Sequence, residues 1–358
     1  MPSHPEIFSG TAEVQHIDSH TMEIKPSDGA ILQYKDFQIG SQEKVRFLQN
    51  STKSCVLNRI TGENPSQILG SLESNGKVFL VNPNGIYFGR DSKVNVGSLI
   101  ASTLDIADED FTSEKYHFTL NQGKNSSIVN EGVLHSAEGS IVLLASQIRN
   151  LGQVEAKLGS VVLASGEHVT LDFTGDGLIQ FSVEGSLKEA LIEHLGEIHG
   201  SIVSLKLPTA KKAITEIVNM DGACQGDLFV EENGVIKFTS VSQIQAKTVH
   251  VEGSQISVLG SIDVSDALDK GGDIHLFGRE IVLDGALINA SGLLGGGEVL
   301  IGGEFQGKGT TPYASKVTMD QYSEIYAEAI DTGSGGLVVL WSQDQTIFHG
   351  TIYAQGDF

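Results

Sequence analysis

The side chains best suited to chemistry in this chain are its carboxylates. Two groups are closely spaced: Asp105, Asp108 and Asp110, then Asp263, Asp266, Asp269 and Asp273. Clustered carboxylates hold calcium, and with a Lys or Arg to take or steady a proton they serve polysaccharide lyases. Each group lies in or beside a turn, where solvated acids are the simpler reading, and the Gly-Gly-x-Gly-x-Asp calcium repeat is absent. A glycoside hydrolase needs two acids facing each other across a cleft. Asp172, Asp176 and Glu184 are near neighbours in sequence, but Asp176-Gly177 reads first as a hairpin-type turn. His16 and His20 stand four apart in a probable strand, where they share a face only by alternation, and read as surface residues. Gly295-Gly296-Gly297 is a loop with no following helix to hold a phosphate. No catalytic residue, metal site or cofactor is expected, and the chain is not read as an enzyme.

Charge and composition narrow the class further. With 45 acidic and 23 basic residues the formal net charge is -22, so a phosphate-binding surface and a nucleic-acid partner are excluded. Gly is abundant at 42 residues and Pro scarce at 7, a profile of many short strands joined by tight turns. No apolar run reaches the ~18 residues that a membrane-spanning helix requires. Cys55 sits in the apolar run Cys55-Val56-Leu57 and reads as a small buried hydrophobe, and whether it pairs with Cys224 is left open.

The elements that must position these residues repeat. Ile128-Val129-Asn130-Glu131-Gly132 returns as Ile148-Arg149-Asn150-Leu151-Gly152, and Gly139-Ser140-Ile141-Val142-Leu143 returns as Gly159-Ser160-Val161-Val162-Leu163. Gly271-Gly272-Asp273-Ile274 becomes Gly296-Gly297-Glu298-Val299, and Ile325-Tyr326-Ala327 becomes Ile352-Tyr353-Ala354. A period of about 20 to 27 residues with short strands and Gly turns marks a β-solenoid. The Leu-rich-repeat pattern is missing and β-branched residues dominate. The fold class expected is therefore all-β: a right-handed parallel β-helix with N-terminal cap strands and one or two short helices outside it.

Those helices are predicted over Ser186–His194, from Leu187, Ala190, Leu191 and His194, and over Thr209–Val218, from Ala210, Ala213, Ile214 and Ile217. An open solenoid end exposes unpaired backbone and needs a cap. Residues 1–57, with short alternating runs over 30–40 and 44–49, are assigned that role. Residues 58–253 are expected to form coils with excursions, and 254–358 further, more even repeats.

Residues 58–106 carry a specific resemblance. Within them the turn Asn82-Pro83-Asn84-Gly85 lies between Val78-Phe79-Leu80-Val81 and Ile86-Tyr87-Phe88. Pro presets the second turn position, and Asn and Gly suit those around it. This block resembles the haemagglutination-activity domain at the N-terminus of two-partner-secretion exoproteins, the filamentous-haemagglutinin family. Gly302–Gly309 and Gly336–Ser342 resemble blocks that recur in the same large bacterial exoproteins. The resemblance begins at Phe8-Ser9-Gly10-Thr11-Ala12, whereas MPSHPEIFSG lacks the features of a signal peptide. The chain is accordingly read as an N-terminal piece trimmed of its signal, with Ile352–Gly356 opening a repeat that is cut off.

The resemblance implies a secretion-targeting domain of an adhesin-like exoprotein, exported through the periplasm to the cell surface or medium of a Gram-negative-type bacterium. It implies one principal partner, an outer-membrane transporter with periplasmic recognition modules, and a host-cell or glycan receptor reached through the passenger. A monomer is expected. By the same resemblance Asn58, Arg59, Asn64, Pro65, Asn82, Pro83, Asn84 and Gly85 are the candidate transporter-recognition residues. The alternative for the Asn-Pro-Asn-Gly turn is that it only shapes a coil. The family's further Asn-Pro-Asn-Leu motif is absent, which leaves details of the transporter contact open. The competing reading of the whole chain is a carbohydrate-binding or carbohydrate-cleaving β-helix.

Overall fold

Each repeat found in the sequence is one turn of a parallel β-helix, and the repeat spacing is the hydrogen-bond register. Ile128 pairs with Ile148, Ile141 with Val161, Ile274 with Val299 and Ile325 with Ile352. The computed structural model describes residues 1–121, 126–173, 180–184, 190–207, 235–238, 242–307 and 313–357. These divide into two compact units. The first holds 1–184, 192–204 and 243–246, and the second 185–191, 205–242 and 247–358.

In the first unit a coil contributes three strands, each paired in parallel with its counterpart one coil on. One column runs Lys44–Phe47, Ser71–Ser74, Lys93–Val96 and Val133–Ser136. Another runs Ser66–Ile68, Ile86–Phe88, Ser127–Asn130 and Gln147–Asn150. The third runs Ala30–Tyr34, Cys55–Ile60, Lys77–Val81, Ser98–Ser102, Ile141–Leu144 and the distal half of Gln153–Ala164. Side chains alternate across a strand, so Lys93–Val96 buries Val94 and Val96 and exposes Lys93 and Asn95. Ile141–Leu144, in contrast, is buried at all four positions. A strand apolar on both faces must be covered on both.

The cover is a four-stranded antiparallel sheet outside the helix, made of Asp105–Ile106, Tyr116–Thr119, His168–Asp172 and Gln180–Glu184. With it comes a short helix, Asp108–Thr112, which buries Phe111. The three acids of its first turn oppose the positive end of the helix dipole, so residues read from sequence as turn acids in fact start a helix. The predicted helix over Ser186–His194 is overturned in its second half. Leu191–His194 is a strand with Ile192 and His194 pointing inward, because period-two burial wins over the helix-like spacing. Residues 185–189 and the whole predicted helix Thr209–Val218 lie outside the described residues.

The solenoid end is closed by two antiparallel strands. Glu6–Ser9 pairs with Ala30–Tyr34, and Ala12–His16 with Thr21–Pro26. The runs Ala30–Tyr34 and Lys44–Phe47 already pair in parallel with the coil that follows, so they are rungs of the helix.

In the second unit the long strands Thr248–Val258 and Asp273–Leu283 pair along their length, and the chain then continues through Glu298–Ile301 to Leu337–Leu340. The column Ser261–Asp263, Leu287–Asn289, Glu324–Tyr326 and Thr351–Tyr353 closes the coils. Among the described residues no helix is long and apolar enough to cross a membrane.

Candidate functional site

Asn82 ends the strand Lys77–Val81 and is fully buried. Its backbone N–H donates to Ser102 O (2.9 Å), and Gly85 N donates to Asn82 O (3.1 Å), closing a four-residue turn. The side-chain oxygen accepts from Asn84 N (2.9 Å) and Asn84 Nδ2 (3.0 Å). The side-chain nitrogen donates to Asn64 O and to Ser66 Oγ, both at 3.0 Å. Every hydrogen-bonding atom of this amide is thus used inside the protein, as burial demands.

The rest of the turn binds the coils on either side. Asn84 Nδ2 donates to Gly62 O (2.8 Å), and Ser66 N donates to Gly85 O (3.0 Å), which fixes the turn to the preceding coil. On the other side Ser126 Oγ donates to Pro83 O. Gly85 has φ +113, and a Cβ there would lie 3.1 Å from Ser127 O, so both backbone and neighbour require glycine. Asn64 and Pro65 are exposed on the coil beneath. Asn64 Nδ2 donates to Asp36 Oδ1 (2.8 Å), and Pro65 O accepts from Gln38 Nε2 (2.9 Å).

Asn58 and Arg59, adjacent on Cys55–Ile60, point to opposite sides. Asn58 is buried, accepts from the Tyr34 hydroxyl (3.2 Å) and donates to Phe79 O (3.2 Å), linking three successive coils. Burial pushes the Tyr34 phenol far above its usual range, so it remains a donor. Arg59 turns outward: its Nε lies 3.1 Å from Asp105 Oδ1, and its terminal nitrogens donate to Asp108 and to the carbonyl of Ile106. The eight candidates therefore form two groups. Asn64, Pro65 and the Asn82–Gly85 turn come together, whereas Asn58 and Arg59 serve the neighbouring column. Tyr34, Asp105 and Asp108 are partners that sequence spacing alone did not reveal. The acidic first turn followed by a lone Phe111 was the available signal for the last two.

In the second acidic group, Asp263 and Asp266 hold turns. Asp263 Oδ1 accepts from Ser265 N, and Asp266 Oδ1 from Leu268 N and Asp269 N. These backbone hydrogen bonds hold the exposed Asp266 carboxyl below its ordinary pKa. Among the described residues no three His, Cys, Asp or Glu side chains are grouped to hold a metal ion. Asp172 pairs with Gln180 and His168 with Glu184, so Asp172 and Glu184 sit at opposite ends of one strand pair, about 13 Å apart along it. Asp176 and Cys224 lie outside the described residues, while Cys55 is half-buried, with burial the main cause pushing its thiol up to about 11.

The comparisons with known proteins agree with this geometry. A family model described as the TPS secretion domain matches residues 21–223. Among solved structures, the HMW1 secretion domain from Haemophilus influenzae superimposes with a TM-score of 0.76 at 27% identity, covering 100% of this chain and 92% of that one. A heme/hemopexin-binding protein of Haemophilus influenzae is 28% identical over 304 residues, 78% of this chain and 30% of the relative. The protein adenylyltransferase and cysteine protease IbpA of Histophilus somni is 24% identical over 245 residues, 66% of this chain and 6% of that protein. The chain thus spans less than a third of the length of these curated relatives.

Proposed function

The chain belongs to the TPS secretion-domain family, and from that premise we propose that it targets a large exoprotein to a cognate outer-membrane transporter. The export route runs through the periplasm to the cell surface or medium. Residues 254–358 are then the first repeats of the passenger, and the domain acts as a monomer. A host-cell or glycan receptor belongs to the passenger.

The observation that carries the mechanism is the burial of Asn82. A transporter meeting the folded domain could touch Pro83 or the edge of Asn84, but the Asn82 amide is closed inside the coil. This supports recognition of residues 58–106 in an unfolded or extended state, before the turn forms. Folding then nucleates in the capped N-terminal unit, and later coils add to it by stacking, since a solenoid grows by nearest-neighbour addition. On this reading Asn58, Arg59, Asn64, Pro65 and Asn82–Gly85 are read by the transporter first and shape the coils afterwards.

The test is export. Residues 1–358 behind a signal peptide are expressed with and without the transporter, and the medium is assayed for the fragment. Transporter-dependent release that is lost in Asn82→Ala/Asn84→Ala is the expected result. Retention in the periplasm beside a functional cognate transporter would overturn the reading.

A further inference from the structure

We propose that the antiparallel sheet outside the helix is a strap that makes six rungs of the first unit fold in a single step, and only once residue 184 is available. The inference about export timing rests on the secretion reading above; the strap itself does not.

The rungs form one outward-facing apolar ladder. Ile31 pairs with Leu57, Leu57 with Phe79, Phe79 with Ile100, Ile100 with Val142 and Val142 with Val162. All six are buried and belong to one cluster with the strap residues Phe111, Tyr116, Phe118 and Val169. Bare, they would present a continuous apolar stripe, which a soluble surface does not tolerate.

The strap comes from two separate excursions. Tyr116–Thr119 leaves between Ser98–Ser102 and Ser127–Asn130, and His168–Asp172 leaves after Gln153–Ala164. The two pair directly, Tyr116 with Leu171 and Phe118 with Val169. The Tyr116 ring stacks on Phe79 at 5.2 Å and meets Phe173 edge-on at 5.0 Å. Arg59 fastens the start of the first excursion through Asp105 and Asp108.

Uncovered solenoid rungs exchange partners only with their neighbours and fray one at a time. A cover tied to rungs that lie more than a hundred residues apart removes that freedom. For export, all six rungs and the first excursion have left the transporter by Ala164, yet Tyr116–Thr119 still lacks its partner strand and the cover is incomplete. The emergence of His168–Glu184 closes it and locks the domain outside.

The test is native-state hydrogen exchange across a urea gradient on the purified 358-residue chain, without a transporter. The rung amides of Leu57, Phe79, Ile100 and Val162 are expected to share one opening transition. In Tyr116→Ala the same amides should exchange on the order of 10-fold faster and open at separate urea concentrations. Phe173→Ala removes only a half-buried ring and gives the same splitting in a milder form should Tyr116→Ala fail to fold. Separate openings in the wild type, or unchanged common opening in the folded variants, would overturn the strap. Failure of the export reading would leave these measurements as they are.

Discussion

Inside the first unit, Asn150 Nδ2 donates to His194 Nδ1 at 3.2 Å, and both residues are fully buried. The ladder continues on both sides: Asn130 Nδ2 donates to Asn150 Oδ1 (2.8 Å), and His194 Nε2 to Gln243 O (3.2 Å). An imidazole that accepts on one nitrogen and donates on the other is neutral. Burial lowers its pKa to about 4, from an ordinary value of 6.5.

That depression has a definite sign. As pH falls, the unfolded chain takes up the proton first, so the stabilisation is complete above about pH 6.5 and is lost between there and pH 4. The shift corresponds to roughly 3 kcal/mol. Urea midpoints at pH 7, 6, 5 and 4 should fall steeply for the wild type. They should fall less for His194→Asn, which extends the Asn ladder without a titrating ring. Parallel profiles would show that His194 does not control acid stability.

The Asn-Pro-Asn-Gly turn carries a graded prediction. Asn82→Ala removes the acceptor of Asn84 N and the donor to Asn64 O at a fully buried position, and should cost about 2–3 kcal/mol. Asn84→Ala removes the side-chain donor to Gly62 O and Asn82 Oδ1 at a half-buried position, where water can replace it, and should cost about 1 kcal/mol. Denaturant unfolding measures both. A stable, normally folded Asn82→Ala variant would mean that the turn is not a structural element at all.

The coil repeat was legible because register leaves a trace in sequence. Asn130 and Asn150, or Ile325 and Ile352, occupy the same place in successive coils and meet the same demands. The strap was not legible, because Phe118 and Val169 pair across fifty residues and nothing local announces a partner. The one hint was indirect: the runs Val78–Val81 and Ile141–Leu144 are apolar on both faces, which requires an outer cover. Over Leu187–His194 the sequence offers helical and strand periods together. His194 settles the matter by facing inward, onto the Asn ladder. Asn82–Gly85 form the turn between strands that their residue types announce, whereas Asn58 and Arg59 lie within the strand Cys55–Ile60, and the hydrogen-bond partners of both groups come from neighbouring coils and could not be read from spacing.

Stacked glycines mark a corner in the second unit where no side chain fits. A Cβ on Gly297 would fall 1.9 Å from Gly272 O, one on Gly272 1.9 Å from Lys247 O, and one on Gly336 2.2 Å from Gly297 O. Gly297→Ala must push two coils apart and should cost about 3 kcal/mol or more. Gly285 also favours glycine, with φ +65, but nothing lies within 4 Å of its Cβ position. Gly285→Ala should cost only about 1 kcal/mol. Exchange protection at the Val299 and Val338 amides distinguishes the two, and equal effects would refute the steric account.

Cys55 gives a readout of the folded state. Its thiol lies beside Tyr116 and Phe173 under the strap, and burial followed by the nearby Asp28 charge raises it to about 11 from 9.0. At pH 8 about 0.1% is thiolate in the folded domain, against about 10% in an unfolded chain. Only the thiolate alkylates, so iodoacetamide should label Cys55 about 100-fold more slowly when the domain is folded. The experiment uses Cys224→Ser, so that a single thiol reports. In that background Tyr116→Ala should speed labelling by removing the ring that lies beside the thiol, whereas Gly285→Ala, in the other unit, should leave it unchanged. Fast labelling of the intact folded protein would show that the strap does not cover Cys55.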